Sequence, residues 1–359
     1  MFKRILMASA LAAAFAVPAM AEITISGSAE MDLMIGTNRA EGADSGTQLY
    51  EEIALMINVD GKDKLDNGDI LSWRLAQKVQ TDWRYNGWGE REAWIGYEGG
   101  WGNLRFGNQF TDNYLFMDWP IGMSGAGNMT ADSGTLLVWT GAKGEGMGGS
   151  IRYASPSFSG VDFSAQYVLG SYAADGANAD GWDLFLHGGW NGFDLNAGYQ
   201  VLNNRAYTQV AIGNDTGNYI NVKGDGNKTE MYYVAARYKF GDFNLRGMWR
   251  HNDLTEGSVS TEADQWLIGG GYTFGKNSLV LSYQQVMDAD VSGGANPGSR
   301  DSGVQQIAGD WKYSLSKNSV FFVQGRYHMY DSNLSPHQDG SVASASNSFR
   351  LTVGTWTGF

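Results

Sequence analysis

From Ile23 to its last residue, Phe359, the chain repeats one device: a segment of about ten residues alternating apolar and polar side chains, the pattern of a β-strand with two unlike faces. Between Ile23 and Leu33, one face carries Ile23, Ile25, Ala29, Met31 and Leu33, and the other Thr24, Ser26, Ser28, Glu30 and Asp32. The connections between segments are alternately short and long. Short turns are expected at Gly61 to Gly68, Gly99 to Trp101, Ser155 to Gly160, Asn191-Gly192, Gly241-Asp242, Gly275-Lys276 and Ser314 to Lys317. Long polar loops are expected at 37 to 48, 81 to 88, 110 to 147, 170 to 181, 203 to 228, 253 to 263, 289 to 302 and 331 to 346. Seven turns and eight loops join about sixteen strands. That count predicts an all-β, up-and-down antiparallel barrel with both termini on the short-turn side.

The barrel is expected to span a membrane. After residue 21 no run of eighteen apolar residues occurs, so no transmembrane helix is available. The first residues read as an export signal: Lys3 and Arg4, an apolar run from Ile5 to Val17, then Ala19-Met20-Ala21 as a small-residue cleavage site. Residues 1–21 are taken as the cleaved leader and 22–359 as one barrel domain. In a Gram-negative envelope the destination is the outer membrane, with the short turns in the periplasm. Cysteine is absent, so no disulfide contributes. The leader removes two of the 25 basic residues and none of the 38 acidic ones, leaving 23 minus 38, or −15. Such acidity disfavours nucleic acid as a partner.

Aromatic residues collect beside the short turns: Trp190 and Phe193, Phe240 and Phe243, Phe274, and Trp311 with Tyr313. Amphipathic rings settle at a membrane interface, so these predict a girdle in outer-membrane lipid. Carrying the alternation along the strands puts Arg74, Lys78, Arg105 and Arg152 on the polar face, followed by Arg237, Lys239, Arg246, Arg250, Lys312, Arg326 and His328. Charges on the lipid face cost a few kcal/mol at the midplane, so these side chains require a wet interior. Arg91 lies in a segment whose two faces are not cleanly distinguished.

The longest loop, Phe110 to Met147, carries Asp112, Asp118, Asp132 and Glu145 against the single Lys143. Folded inward, it would set acids against a basic wall and narrow the pore; folded outward, it would be a solvated flap. The residues alone leave both open.

Several blocks resemble the trimeric, sixteen-stranded general porins of Gram-negative bacteria, in particular the group common in beta- and gammaproteobacteria. They are ITISGSAEMD at the first strand, KLDNGDILSWRL after the first turn, REAWIGYEGGWGNLRFGNQF before the long loop, SIRYASPSFSGVDFSAQY after it, and the terminal Phe359. The resemblance implies an inward-folded third loop, a homotrimer, and passive diffusion of ions and small hydrophilic solutes. It implies wall arginines at Arg91, Arg105 and Arg152, loop acids at Asp112 and Asp118, and a part for Phe359 in assembly by the barrel-assembly machinery. The sequence departs from the family pattern at Met56 and Asn108, where arginines are usual; Arg74 and Lys78 are expected to replace some of that charge.

No cofactor, metal or catalytic set is expected. Of the four histidines, His187 and His328 take inward positions, His251 is expected in the wall beside Arg250, and His337 lies in a loop. None sits in a recognisable Ser-His arrangement. A channel selective for sugars or small acids is the alternative, with Tyr114, Phe116 and Trp119 as a stacking surface or as the loop's own core. A surface receptor or adhesin acting through its loops is another; Asp288, Asp290 and Asp301 lack the spacing of a calcium loop. Gly27, Ala29 and Gly354 are expected as small outward residues near the seam.

Overall fold

The computed structural model describes residues 22–37, 47–80, 89, 91–117, 147–169, 180–204, 207–211, 219–222, 226–295, 297–299, 301–331, 334–336, 342–344 and 346–359. The leader, Asp118, Trp119, Asp132, Glu145 and His337 lie outside them. Sixteen strands form one closed sheet: β1 (Glu22–Thr37), β2 (Thr47–Lys64), β3 (Ile70–Gln80), β4 (Glu92–Gly99), β5 (Gly102–Gln109), β6 (Met147–Ala154), β7 (Val161–Val168) and β8 (Asp180–Trp190). These are followed by β9 (Phe193–Asn203), β10 (Asn227–Phe240), β11 (Phe243–Glu256), β12 (Val259–Phe274), β13 (Asn277–Val286), β14 (Val304–Ser314), β15 (Ser319–Tyr330) and β16 (Asn347–Gly358). Every strand pairs antiparallel with the next, and β16 returns to β1 from Ser28↔Gly358 to Thr37↔Phe349. No helix among the described residues is long and apolar enough to cross a membrane.

The last residue completes the closure. Phe359 N–H donates to the Gly27 carbonyl and Gly27 N–H to the Phe359 carbonyl, both at 3.0 Å. Its ring covers Gly27, where a Cβ would fall 2.7 Å from Phe359 Cζ, so the seam fits only a residue without a side chain. Gly354, by contrast, faces inward: a Cβ there would meet Phe322 and Asp32. The outward position expected for it is therefore corrected; the seam's register, set by these pairings, turns it to the lumen.

Large apolar side chains cover the outer face, among them Ile25, Leu55, Val234, Leu245, Ile268 and Leu281, all exposed. At the short-turn end the rings form a stacked belt: Phe193 on Tyr238 at 4.0 Å, Tyr238 on Phe240 at 5.3 Å, Phe240 on Phe243 at 5.6 Å, and Phe243 on Tyr272 at 4.5 Å. Cross-strand aromatic pairs contribute both to the sheet and to its fit at an interface.

Two segments differ from the sequence expectation. Residues 253–263, expected as a long loop, continue β11 and β12 to a tight turn at Gly257-Ser258. Glu262 and Asp264 point outward there, so the hairpin carries polar residues on its outer face, which reads as loop to a pattern that seeks one apolar face. The first turn is also shorter than the Gly61 to Gly68 expected, because β2 runs on to Lys64.

Candidate functional site

Beyond β5 the chain turns into the barrel. Thr111 caps a short helix, α1 (Asp112–Phe116), its hydroxyl accepting from the Tyr114 N–H at 3.1 Å. The helix lies against the inner wall at β8, β9 and β10. Asn113 is fully buried; its amide donates to the Leu184 carbonyl at 3.0 Å, and its Oδ1 accepts from the Tyr233 hydroxyl at 3.0 Å. Gly198 makes that approach possible, since a Cβ there would lie 2.1 Å from Asn113 Oδ1. Phe116 packs on Phe185 and Tyr233, and Met117 joins Met231, Met248 and Leu267. The long third loop is thus folded inward over its described part.

This docking patch is where the alternation breaks down. Phe185, Met231, Tyr233, Ala235, Met248 and Leu267 are apolar residues on lumenal positions, because they meet a helix and not water. The signal was present in MYYVAA, residues 231–236, apolar on both faces. Nothing in the sequence identified Asn113 as its polar anchor. Phe116 and Tyr114, the candidate stacking surface, serve the loop itself: Tyr114 stacks on Phe110 at 5.2 Å.

The predicted arginines fall into different settings. Arg152 reaches across to the helix, with Nη2 at 2.5 Å and Nε at 3.0 Å from Asp112 Oδ2. Arg105 is its direct cross-strand partner and lies over the Trp94 ring at 4.1 Å. Arg91, unassigned to a face, stands over Phe110 at 5.0 Å where the loop enters. Arg105, Arg152 and Asp112 are brought together. The Arg74 guanidinium is held by Asp60 Oδ1 at 2.7 Å and Glu92 Oε2 at 3.2 Å, both on neighbouring strands, and lies within electrostatic reach of Arg105. Lys78 lies within electrostatic reach of Glu30 and Asp32 on β1.

Elsewhere on the lumenal wall a chain of polar side chains crosses six strands. Arg250 donates to Gln265, Gln265 to Gln284 at 3.4 Å, and Gln284 to Gln306 at 3.1 Å; His328 Nε2 lies 2.8 Å from the same Gln306 oxygen and its Nδ1 3.4 Å from Ser348 Oγ. His187 also faces inward, 2.9 Å from Asp162. His251 does not. It stacks on Tyr232 at 4.9 Å and bonds Asp264 at 2.7 Å on the outer face, the face opposite Arg250. Adjacent residues on a strand cannot share a face.

A closed sixteen-stranded barrel, charged within, apolar without, and entered by one loop, is a channel. A model of the Gram-negative porin family matches residues 8–333. The chain belongs to the Gram-negative porin family. Among curated relatives, the major outer membrane protein P.IB of Neisseria meningitidis serogroup B is 26% identical over 312 residues, covering 75% of this chain and 88% of that one. Among solved structures, an anion-selective porin from Comamonas acidovorans superposes with a TM-score of 0.70 at 14% identity, covering 94% of this chain and 100% of that one. A trimer form of OmpT of Vibrio cholerae gives 0.68 at 15%, covering 95% and 100%. This porin therefore resides in the outer membrane, where it is a non-enzymatic channel for passive diffusion. Its short turns face the periplasm and its long loops the exterior.

At the outer rim of the porin Asp288, Asp301 and Asp331 bring carboxylate oxygens within 4.8 Å of one another. Asp288 Oδ1 accepts from the Ser302 and Gly303 N–H groups at 2.9 and 2.8 Å, tying residues 287–303 together. Burial, then the charges of Asp288 and Asp301, push the Asp331 carboxyl above its ordinary range.

Proposed function

We propose that solutes pass between the α1 segment and the wall of Arg105 and Arg152, and that Asp112 sets the field they cross. The observation that carries this reading is the Arg152–Asp112 pair, which joins the inward loop to the wall at one point. Fixed charges of opposite sign at a narrowing act on every ion that enters. Arg91 holds the loop's entry through Phe110, and Asp118, Asp132 and Glu145 supply further acids along the same loop. Arg74 and Lys78 take a lesser part, being engaged by wall carboxylates.

The channel works as a homotrimer, delivered through a leader of residues 1–21 and inserted in outer-membrane lipid by the barrel-assembly machinery. Support for the trimer is the trimeric solved relative. Support for the assembly role of Phe359 is its paired backbone at the seam and its exposed ring. The test is the current through refolded residues 22–359 in a planar bilayer under a KCl gradient. Large steps, grouped in threes, are expected, and the sign of the reversal potential assigns the dominant charge. A folded barrel that passes no current overturns the reading.

A further inference from the structure

Two ionisable side chains lie buried in the wall beneath α1, one at each end of it, and neither forms an ion pair among the described residues. Asp183 on β8 is at the start. Its Oδ2 accepts from the amide of Gln200, its direct partner on β9, at 2.7 Å. Asn113 and Thr111 of the loop bring donors to the same carboxyl, and Asp112, a group of like sign, also acts on it. Arg250 on β11 is at the end. Its guanidinium donates to Gln265 Oε1 and to Met117 Sδ, the latter at 3.9 Å, and its Nε has no partner among the described residues.

A buried ionisable group without a counter-charge is costly unless hydrogen-bonding groups are fixed around it. Here some of those groups come from the loop. The residues that open α1 offer donors to the acid, and the residue that closes it offers an acceptor sulfur to the base. Turned end for end, the helix would set the Met117 sulfur against a carboxylate, acceptor against acceptor. Between the two ends runs the cross-strand row Phe185↔Gly198↔Tyr233↔Arg250, on which Phe116 packs. Apolar contact of that kind is non-directional and does not fix a register by itself.

We infer that Asp183 and Arg250 are positioning residues for the narrowing. The acid registers the start of α1 and the base its end, and together they bring Asp112 to Arg152. Neither touches a passing solute. The inference rests on the reading that solutes pass beside α1.

The test begins with a distance. The chain has no cysteine, so the pair Leu115→Cys, exposed on α1, and Leu281→Cys, exposed on the outer face, carries two spin labels in the refolded protein. Their separation reports where the loop lies whether or not the barrel conducts. With Asp183→Asn or with Arg250→Gln added, the distance distribution should broaden about twofold, because freeing one end releases a helix held at two. Circular dichroism checks that the barrel is folded. An unchanged distribution in either variant overturns the inference. Where Asp183→Asn does not fold, Asp183→Asn with Gln200→Glu keeps a carboxylate–amide pair across β8 and β9 while withdrawing the acid from Asn113 and Thr111; where Arg250→Gln does not, the unbranched, apolar Arg250→Met replaces it. The same broadening is expected of both.

The reversal potential in a KCl gradient separates positioning from a direct effect of charge. Acting through their own charges, a neutralised acid and a neutralised base would move it in opposite directions. Releasing the same helix, both variants should move it toward anions, as the loss of Asp112 from Arg152 does. Shifts of opposite sign overturn the inference. Broadened distances with an unmoved potential uphold the positioning and refute instead the reading that α1 borders the ion path.

Discussion

Arg74 and Arg152 both sit on inward positions of the wall, yet their partners differ in kind. Arg74 is held by Asp60 on β2 and Glu92 on β4, so its charge is neutralised within the wall. Arg152 is held by Asp112, which belongs to the loop. A pair within the wall stabilises the cylinder and leaves the opening as the strands dictate. A pair between wall and loop fixes where the loop lies. The same side chain on the same kind of strand is therefore held within the wall in one place and tied to the inward loop in the other, and its partner decides which.

The strongest way to break the comparison is to lift the loop and leave both arginines in place. Gly198→Val places a Cβ 2.1 Å from both Asn113 Oδ1 and Tyr233 Cε1, so the two side chains that join the helix to the wall must move. Overpacking of this kind costs about 1–3 kcal/mol. The helix should leave its patch, changing the open conductance and making it noisy, while circular dichroism shows the barrel still folded. Conductance identical to the parent would put α1 outside the ion path.

Asp112→Asn cuts the loop–wall pair alone. Arg152 and Arg105 then face each other without an acid from the helix. The reversal potential in a KCl gradient should move toward anions. An unmoved potential would mean that Asp112 positions the loop without acting on ions.

The contrast also explains how much could be read in advance. The barrel was legible because each strand must satisfy two environments, and alternation records that demand residue by residue, as in Ile23 to Leu33. The arginines were legible as inward for the same reason. Their partners were not, because Asp60 and Glu92 lie on strands adjacent to β3 in space, and Asp112 forty residues from Arg152 along the chain. Period-two pattern reports a face and says nothing of a neighbour. It breaks down at Met231, Tyr233 and Ala235, whose lumenal positions meet a helix, and it misread residues 253–263 as a loop, where a strand turns polar side chains outward.

Arg74→Gln sharpens the other arm. It leaves Asp60 and Glu92 facing each other with the cation between them removed, which should move the reversal potential toward cations by less than Asp112→Asn moves it toward anions. Because the Arg74 side chain is about a third exposed, solvent screening holds the stability loss to roughly 1 kcal/mol, measured as a lower midpoint of urea unfolding. A shift equal to or larger than that of Asp112→Asn would erase the distinction between the pair within the wall and the pair to the loop.

The smallest effect tests whether an acid cluster remote from the pore obeys the same rule of partners. Asp331 meets the carboxylates of Asp288 and Asp301, and its carboxyl is raised above the ordinary range by burial and by them. A carboxyl raised in the folded state contributes stability that is present at acidic pH and is lost as pH rises through its folded pKa. The tie from Asp288 to the Ser302 and Gly303 amides should therefore open more often at neutral pH than just above the ordinary carboxylate range. Hydrogen exchange at those two amides, corrected for its intrinsic pH dependence, measures the opening. Asp331→Asn should slow exchange at neutral pH and flatten the dependence. If the variant exchanges faster, a cation bound among the three carboxylates is holding the loop closed, and chelation would then reproduce the same acceleration in the parent protein.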